Sequence, residues 1–499
     1  MKPQTALLKL KADLGRIRNL FGRLRYRGMH ALVSAAPIED HGGRRNRLPI
    51  AATPGRATPK PTAVAQRVLL AAYQCGPGMG SVSQIGWEWY ARLSRRRPVT
   101  LVTHIHNRAA LELAGAPLSG SEIIFIDTEW FARPLYRIAK RLFPKSEHCV
   151  FMLSLLDFFV YEQVALRLLK RRAAAGERFG IVHAATPVTS LAATRLHRLR
   201  APVVLGPLNS GLANPRGFGS ILRDDSAWLY RLRGFARIAD RIAGSTAHAA
   251  AILVASQATL ESIPARSRAR CLPMLENGVD LRKFHAAPWP APPLGHLPLR
   301  ILFVGRLVPF KALGLLLEAI ARVRAEFQVR LDVIGDGPMA AVWIADTARL
   351  GIAGLVNFQG ARQLEEVARA MRSAHVLCLP SIRESGGSVL LEAMASARPV
   401  IAVAFGGPAE IVDEAVGRVI LPDGPAAVIG GFADAMRDIV RNPGAWRDRG
   451  LEGRRRAVSR FSWDVKIDRA IEIYDSFPAP IDDVLLAPAS APWHEAAHG

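Results

Sequence analysis

The chain has 499 residues, half of them hydrophobic, and a formal net charge of +24 at pH 7. That length exceeds one ordinary core and calls for two domains with extensions, and the apolar content excludes an intrinsically disordered chain. The charge leaves nucleic acid, anionic lipid and phosphorylated substrates open as partners, though an arginine- and alanine-rich composition is by itself a source of such charge. The most apolar stretch, 149–169, is broken by Asp157 and Glu162 and reads as a buried helix, not a membrane span. Lys9, Lys11 and Asp13 interrupt any apolar signal core near the start, so a cytosolic location is expected. Cys75, Cys149, Cys271 and Cys378 show no paired spacing, which argues against a zinc site or a disulfide framework.

Residues 1–66 differ from the rest. Leu7, Leu10, Leu14, Ile17 and Leu24 recur at helical spacing with Lys9, Lys11, Arg16, Arg18 and Arg25 between them. Such a basic amphipathic segment fits an anionic membrane face, each cation contributing on the order of 1 kcal/mol. It fits equally a partly ordered extension with a solvated basic face. From Glu39 to Ala65 the Pro, Gly and Arg content predicts a flexible linker.

An apolar strand is predicted over 67–73, then the glycine loop Gly76-Pro77-Gly78-Met79-Gly80-Ser81, then a helix burying Ile85, Trp89 and Leu93. This loop lacks the third glycine and downstream acid of a dinucleotide fingerprint. Strands follow over 99–103 and 123–127. Another ends at Phe179-Gly180-Ile181-Val182-His183, where His183 reads as a strand-end residue capping its neighbours. The strand 202–205 turns sharply through Gly206-Pro207-Leu208-Asn209-Ser210-Gly211. The strand 250–255 is expected to close this half. Asn277-Gly278-Val279-Asp280 is turn chemistry, and the prolines of 288–298 mark a domain linker.

The second half opens with the strand Ile301-Leu302-Phe303-Val304-Gly305, followed by Arg306 and Lys311 before a helix. Two cations at a strand end and a helix start suit a diphosphate clamp, because charge-assisted bonds are about twice as strong as neutral ones. A solvated loop with two ordinary surface bases is the other reading. Strands over 331–334, 356–360, 374–379 and 400–404 alternate with helices, which means an α/β, doubly wound parallel sheet. Pro380 ends the 374–379 strand, Gly386 and Gly387 let backbone approach a ligand, and the helix start offers N–H groups to an anion. Glu384 in this loop and Glu392 one turn into the helix frame one pocket and suit hydroxyl groups. A glutamate in so apolar a helix start needs polar partners, since burial without them costs a few kcal/mol.

Paired glutamates around a glycine loop, followed by Pro399-Val400-Ile401-Ala402 and Gly406-Gly407-Pro408-Ala409-Glu410, resemble the retaining glycosyltransferases of family 4, with the GT-B fold of two Rossmann-like domains facing across a cleft. The resemblance is specific over Ile301 to Glu410 and weaker elsewhere. It implies that Glu392 holds the ribose hydroxyls, and that Glu384 with Ser385, Gly386, Gly387, Ser388 and Gly305 holds the donor sugar side. Arg306 and Lys311 take the diphosphate. It further implies transfer from a nucleoside diphosphate sugar to a saccharide or lipid-linked acceptor with retention, no cofactor and no required metal, as in exopolysaccharide or lipopolysaccharide assembly at the inner face of a bacterial membrane. Cys75 to Trp87 resembles the family's opening loop apart from Gly76 and Val82, and so Gly78, Gly80 and Ser81 would border the acceptor. The resemblance places His183 in the cleft and makes the loop with Asn209 a candidate acceptor contact, although Gly180 and Ala185 replace the Asp and second His of the family's Asp-x-x-His-x-His; Ala397 stands where glycine is usual. The implied layout is an extension over 1–66, an acceptor-side domain over 67–286, a nucleotide-sugar domain over 299–460, a crossover helix over 461–477 that returns to the first domain, and a flexible tail over 478–499. A sugar-nucleotide epimerase on the same fold and a non-catalytic nucleotide-sugar-binding protein are the alternatives. Nucleic acid is not expected, because no stacking aromatics interleave with the basic runs.

Overall fold

The computed structural model describes residues 67–118, 121–143, 150, 153, 155–211, 215–222 and 233–478. The basic segment and linker expected over 1–66, and the tail from 479 onward, lie outside the described residues.

The first sheet has seven parallel strands in the order β3-β2-β1-β4-β5-β6-β7. These are β1 (Val68–Ala72), β2 (Val99–His104), β3 (Glu122–Ile126), β4 (Ile181–Thr186), β5 (Val203–Leu208), β6 (Ala251–Val254) and β7 (Cys271–Pro273). The second sheet has six, in the order β10-β9-β8-β11-β12-β13: β8 (Leu299–Val304), β9 (Val329–Ile334), β10 (Val356–Phe358), β11 (Val376–Leu379), β12 (Val400–Val403) and β13 (Gly417–Ile420). Central strands such as Val-Leu-Cys-Leu of β11 are apolar along their whole length because helices cover both faces of a parallel sheet. Two strands escape the sequence pattern. The strand 250–255 is not the last of its sheet, since β7 adds an edge of three residues, too short to read. β13 carries Arg418 and begins with Gly417, which hides its apolar run.

Helix α1 (Ser81–Leu93) buries Ile85, Trp89 and Leu93 against the first sheet, as its spacing predicts. Helices α2 (Glu129–Leu142) and α3 (Leu156–Ala174) follow β3. The described part of the apolar stretch is thus a buried helix, and each of its two acids has a partner: Asp157 accepts from the Tyr73 hydroxyl at 2.8 Å with one oxygen, and Glu162 from the Arg195 amide at 2.7 Å. Among the described residues no helix is long and apolar enough to cross a membrane.

The chain returns to its first sheet at the end. Helix α9 (Trp463–Asp475), which follows α4 (Leu313–Val323), α5 (Ser388–Ala395), α6 (Gly407–Ile411), α7 (Pro425–Arg441) and α8 (Pro443–Arg456), places Trp463, Ile467 and Tyr474 in one core with Val68, Leu70 and Trp89. The crossing is pinned by charge. Arg92 of α1 reaches Asp280 at 3.0 Å and Asp464 at 3.2 Å, and the buried Lys466 ammonium donates to the carbonyls of Leu275, Glu276 and Asn277. Ala397 adopts φ 58°, left-handed backbone that disfavours a side chain by about 1–2 kcal/mol, so its departure from glycine is a strained turn between α5 and β12.

His183 needs correction. It lies inside β4, not at its end, and is fully buried. Its Nε2 meets the Gly206 carbonyl at 2.6 Å, its Nδ1 meets the Tyr474 hydroxyl at 2.7 Å, and the Trp89 ring packs edge-on 4.6 Å away. Burial pushes its pKa down to about 4, so the ring is a neutral strut between β4, β5 and α9 instead of a cleft contact. His183→Phe leaves a carbonyl and a hydroxyl without partners and is expected to lower unfolding free energy by about 2–4 kcal/mol. Urea unfolding measures this; a change below about 1 kcal/mol would return His183 to the candidate contacts.

Candidate active site

In an open parallel sheet, ligands bind beyond the carboxyl ends of the strands where the strand order reverses. In the second sheet that point lies between β8 and β11, which pair through Ile301–Val376 and Leu302–Leu377. The loops leaving these two strands carry the candidate residues, and the structure joins them. The Ile382 amide donates to the Phe310 carbonyl at 3.0 Å, and the Arg383 guanidinium lies 4.9 Å from the centre of the Phe310 ring. Lys311, in the short turn Pro309–Lys311, forms a close ion pair with Glu384, each with 14% of its side chain exposed. The second oxygen of Glu384 faces the Gly387 amide at 3.4 Å.

The third loop, after β12, closes on the same point. The Gly407 amide donates to the Glu384 carbonyl at 3.0 Å, and Glu410 accepts from the Gln257 amide of the first half at 2.9 Å. Gly387, at φ 54°, caps α5, whose first-turn amides lie open beside the loop. Glu392 sits one turn in. Among the described residues its carboxylate takes no hydrogen bond, although it is half-buried, and enclosure by protein pushes its pKa up to about 7. An enclosed acid without donors is complementary to hydroxyl groups brought by a ligand.

The opposing wall comes from the first half. The Asn209 amide donates to Glu276 at 2.6 Å, and Glu276 is buried with its second oxygen lacking a partner. Burial raises the Glu276 pKa, and the nearby Glu384 charge adds to that rise. Gly386 rests on this wall: a Cβ there would stand 2.0 Å from Asn277 Nδ2 and 2.2 Å from Glu276 Oε1. The glycine is therefore required by the close approach of the two halves.

Of the residues singled out in the sequence, the structure brings Lys311, Glu384 and Gly387 into contact, while Gly386 lies in the same loop and Glu392 in the helix that follows it. Gly305 ends β8 beside Lys311, while Arg306, Ser385 and Ser388 are exposed around the loops. Gly78, Gly80 and Ser81 are exposed on the loop after β1 and at the start of α1, on the first sheet. Glu276 and Lys466 were missed. The signal for Glu276 was present, an acid directly after Met274-Leu275 and three residues beyond a strand edge.

The chain is similar to known proteins in sequence and in fold. Residues 298–442 match the family described as glycosyl transferases group 1. Over 208 residues the chain is 33% identical to an MMP alpha-(1->4)-mannosyltransferase of Mycolicibacterium hassiacum, covering 40% of this chain and 46% of that protein. Over 184 residues it is 36% identical to a D-inositol 3-phosphate glycosyltransferase of Streptomyces coelicolor, covering 35% and 39%. The chain thus spans less than half the length of these curated relatives. Among solved structures, HepE of Anabaena in complex with UDP aligns with 83% of this chain and all of its own at a TM-score of 0.54 and 19% identity. WaaG, a glycosyltransferase involved in lipopolysaccharide biosynthesis, aligns with 82% at 0.52 and 16%. The fold is GT-B. In this GT-B arrangement the loop after β11 meets Glu276 and Asn277 of the first half at Gly386, and Asn209 holds Glu276.

The raised pKa of Glu392 sets a pH dependence. Its folded value, about 7, lies above its ordinary value of 4.5, so the folded state holds the proton more tightly. Its contribution to stability is fully present below pH 4.5 and is lost as pH rises through about 7. Chemical unfolding across this range should show wild type losing stability relative to Glu392→Gln as pH increases. Parallel profiles would mean that the carboxylate is not enclosed.

Proposed function

We propose that the chain is a retaining glycosyltransferase that moves a sugar from a nucleoside diphosphate sugar to a saccharide or lipid-linked acceptor. The observation that carries this is the juxtaposition, at the β8–β11 switch point, of the Lys311–Glu384 pair, the open amides of α5 and the partnerless Glu392 carboxylate. It falls within the residues that match the group 1 family. HepE in complex with UDP-glucose, a neighbour at TM-score 0.53, supports a nucleotide sugar as the ligand class.

Each group has a task in this reading. Glu392 accepts hydrogen bonds from the ribose hydroxyls, which are the donors its site lacks. The diphosphate brings two negative charges to Lys311, Arg306 and the α5 amides. Lys311 then exchanges its carboxylate partner for phosphate, and Glu384 turns to the hydroxyls of the donor sugar with Ser385, Ser388 and the Gly386–Gly387 backbone. When the glycosidic bond breaks, charge grows on the leaving diphosphate, where fixed cations and dipoles in a water-poor cleft are most effective. The protein's own cations supply this neutralisation, so no metal is required at the diphosphate. The departing phosphate takes the proton of the acceptor hydroxyl, and the new bond forms on the face the diphosphate leaves. The acceptor lies against the first half, near Asn209 and the Gly78–Gly80–Ser81 loop. The high positive charge favours an anionic or membrane-borne acceptor at the inner face of a cell membrane, in polysaccharide or lipopolysaccharide assembly.

A thermal-shift screen of UDP-, GDP- and ADP-sugars tests the donor site. One nucleotide class should stabilise wild type, by about 2.7 kcal/mol at a hundred times its dissociation constant, and Glu392→Ala should abolish the shift. Lys311→Ala should slow transfer by roughly a hundredfold or more. No shift with any donor, or an equal shift in Glu392→Ala, would overturn the assignment.

A further inference from the structure

At the carboxyl edge of the first sheet, His104, His106 and Glu129 bring their ligand atoms within 4.8 Å of one another. His104 is the last residue of β2, His106 lies in the turn after it, and Glu129 opens α2. The cluster is not contiguous in sequence, because the short helix Arg108–Leu113 and the strand β3 lie between β2 and α2.

The hydrogen bonds around His104 decide which of its nitrogens holds the lone pair. The His106 amide donates to Nδ1 at 3.1 Å, so Nδ1 is an acceptor and the proton resides on Nε2. Nε2 lies 2.8 Å from the buried Thr128 hydroxyl and 3.5 Å from Asp157. Asp157 is 1% exposed, accepts from Tyr73 with one oxygen and has no partner for the other. An imidazole whose far N–H is held by a hydroxyl, with a buried carboxylate just beyond hydrogen-bond range, resembles the arrangement that orients metal-binding histidines. On the near side, Nδ1 faces Glu129 Oε1 at 4.0 Å, and the His106 ring lies 4.2 Å from the His104 ring. The other oxygen of Glu129 pairs with Arg133 at 2.5 Å. A lone pair, a carboxylate oxygen and a second imidazole thus converge on one point, and a cation there would satisfy all three.

We propose that His104 Nδ1, a ring nitrogen of His106 and Glu129 Oε1 bind a divalent transition-metal ion of the zinc class, with a fourth position open to solvent. Two imidazoles with one carboxylate favour zinc over magnesium or calcium, which prefer all-oxygen sites. Bonds of about 2.0–2.2 Å at tetrahedral angles hold ligand atoms about 3.3–3.5 Å apart, so the cluster closes by less than about 1.5 Å on binding. His106 is exposed and the Glu129 side chain is 25% exposed, which leaves both room to move. As the metal takes Nδ1, the His106 amide gives up its bond and turns to water. The His106 ring lies 5.6 Å from that of Tyr73, just beyond β1, so an oxygen of a ligand on the first sheet can complete the coordination. This site is independent of the donor pocket, which uses the second sheet.

Full-length protein stripped with a chelator and titrated with zinc chloride by isothermal calorimetry tests the proposal, with cobalt(II) absorption reporting tetrahedral coordination. About one equivalent should bind, and His106→Ala and Glu129→Gln, both accessible positions, should each weaken binding by at least about tenfold. Thermal unfolding confirms that the variants fold, which His104→Ala, at a buried position, would not guarantee. Failure of wild type to bind zinc, or wild-type binding by the folded double variant H106A/E129Q, overturns the site. Because the readout is metal binding, it stands or falls apart from the transferase assignment.

Discussion

The Lys466 ammonium holds the architecture together. It is buried, it donates to three successive carbonyls, and that burial pushes its pKa down to about 7 while the neighbouring Glu276 is pushed up. A charge in so dry a place is tolerable only with its donors used, and losing the partners of such a group costs several kcal/mol. The carbonyls it gathers belong to residues 275–277, the segment that forms the cleft wall. Helix α9 therefore does more than finish the first core. By gripping 275–277 it fixes the surface on which Gly386 rests, and so the distance between the two halves at the candidate site.

From that constraint the loop chemistry follows. A parallel sheet points its strand ends, with their unpaired backbone groups, toward one edge, and β8 and β11 leave that edge in divergent directions. The loops are drawn together again by the Ile382–Phe310 hydrogen bond and by Arg383 over the Phe310 ring. Only then do Lys311 and Glu384 meet. Their ion pair keeps two enclosed charges from standing alone, since the attraction offsets the desolvation that both charges bear.

The second half was legible because its chemistry is contiguous. Gly305, Arg306 and Lys311 lie within one loop, and Glu384 to Glu392 within one loop and helix, so strand ends, glycines and charges can be read in a single pass. What was hidden depends on partners far away in sequence. His183 meets Tyr474 across 291 positions, and no local pattern tells a buried strut from a cleft histidine. Glu276 gains its meaning from Asn209 and Gly386, and the His104–His106–Glu129 cluster from the pairing of β2 with β3. The short edge strands β7 and β13 were lost for another reason. With one flank unpaired they need little apolar length, and the sequence records little.

Glu392 shows why the two kinds of legibility belong together. An acid in the apolar sequence Ser388 to Ala395 is a local inconsistency, visible without any structure. The fold does not remove it: among the described residues no donor reaches the carboxylate, and burial raises its pKa. A chain selected for stability alone would place an aliphatic residue there and gain from the exchange. Retaining the acid makes sense where a ligand completes the hydrogen bonds that the protein withholds, so that the free energy forgone in the empty cleft is recovered on binding.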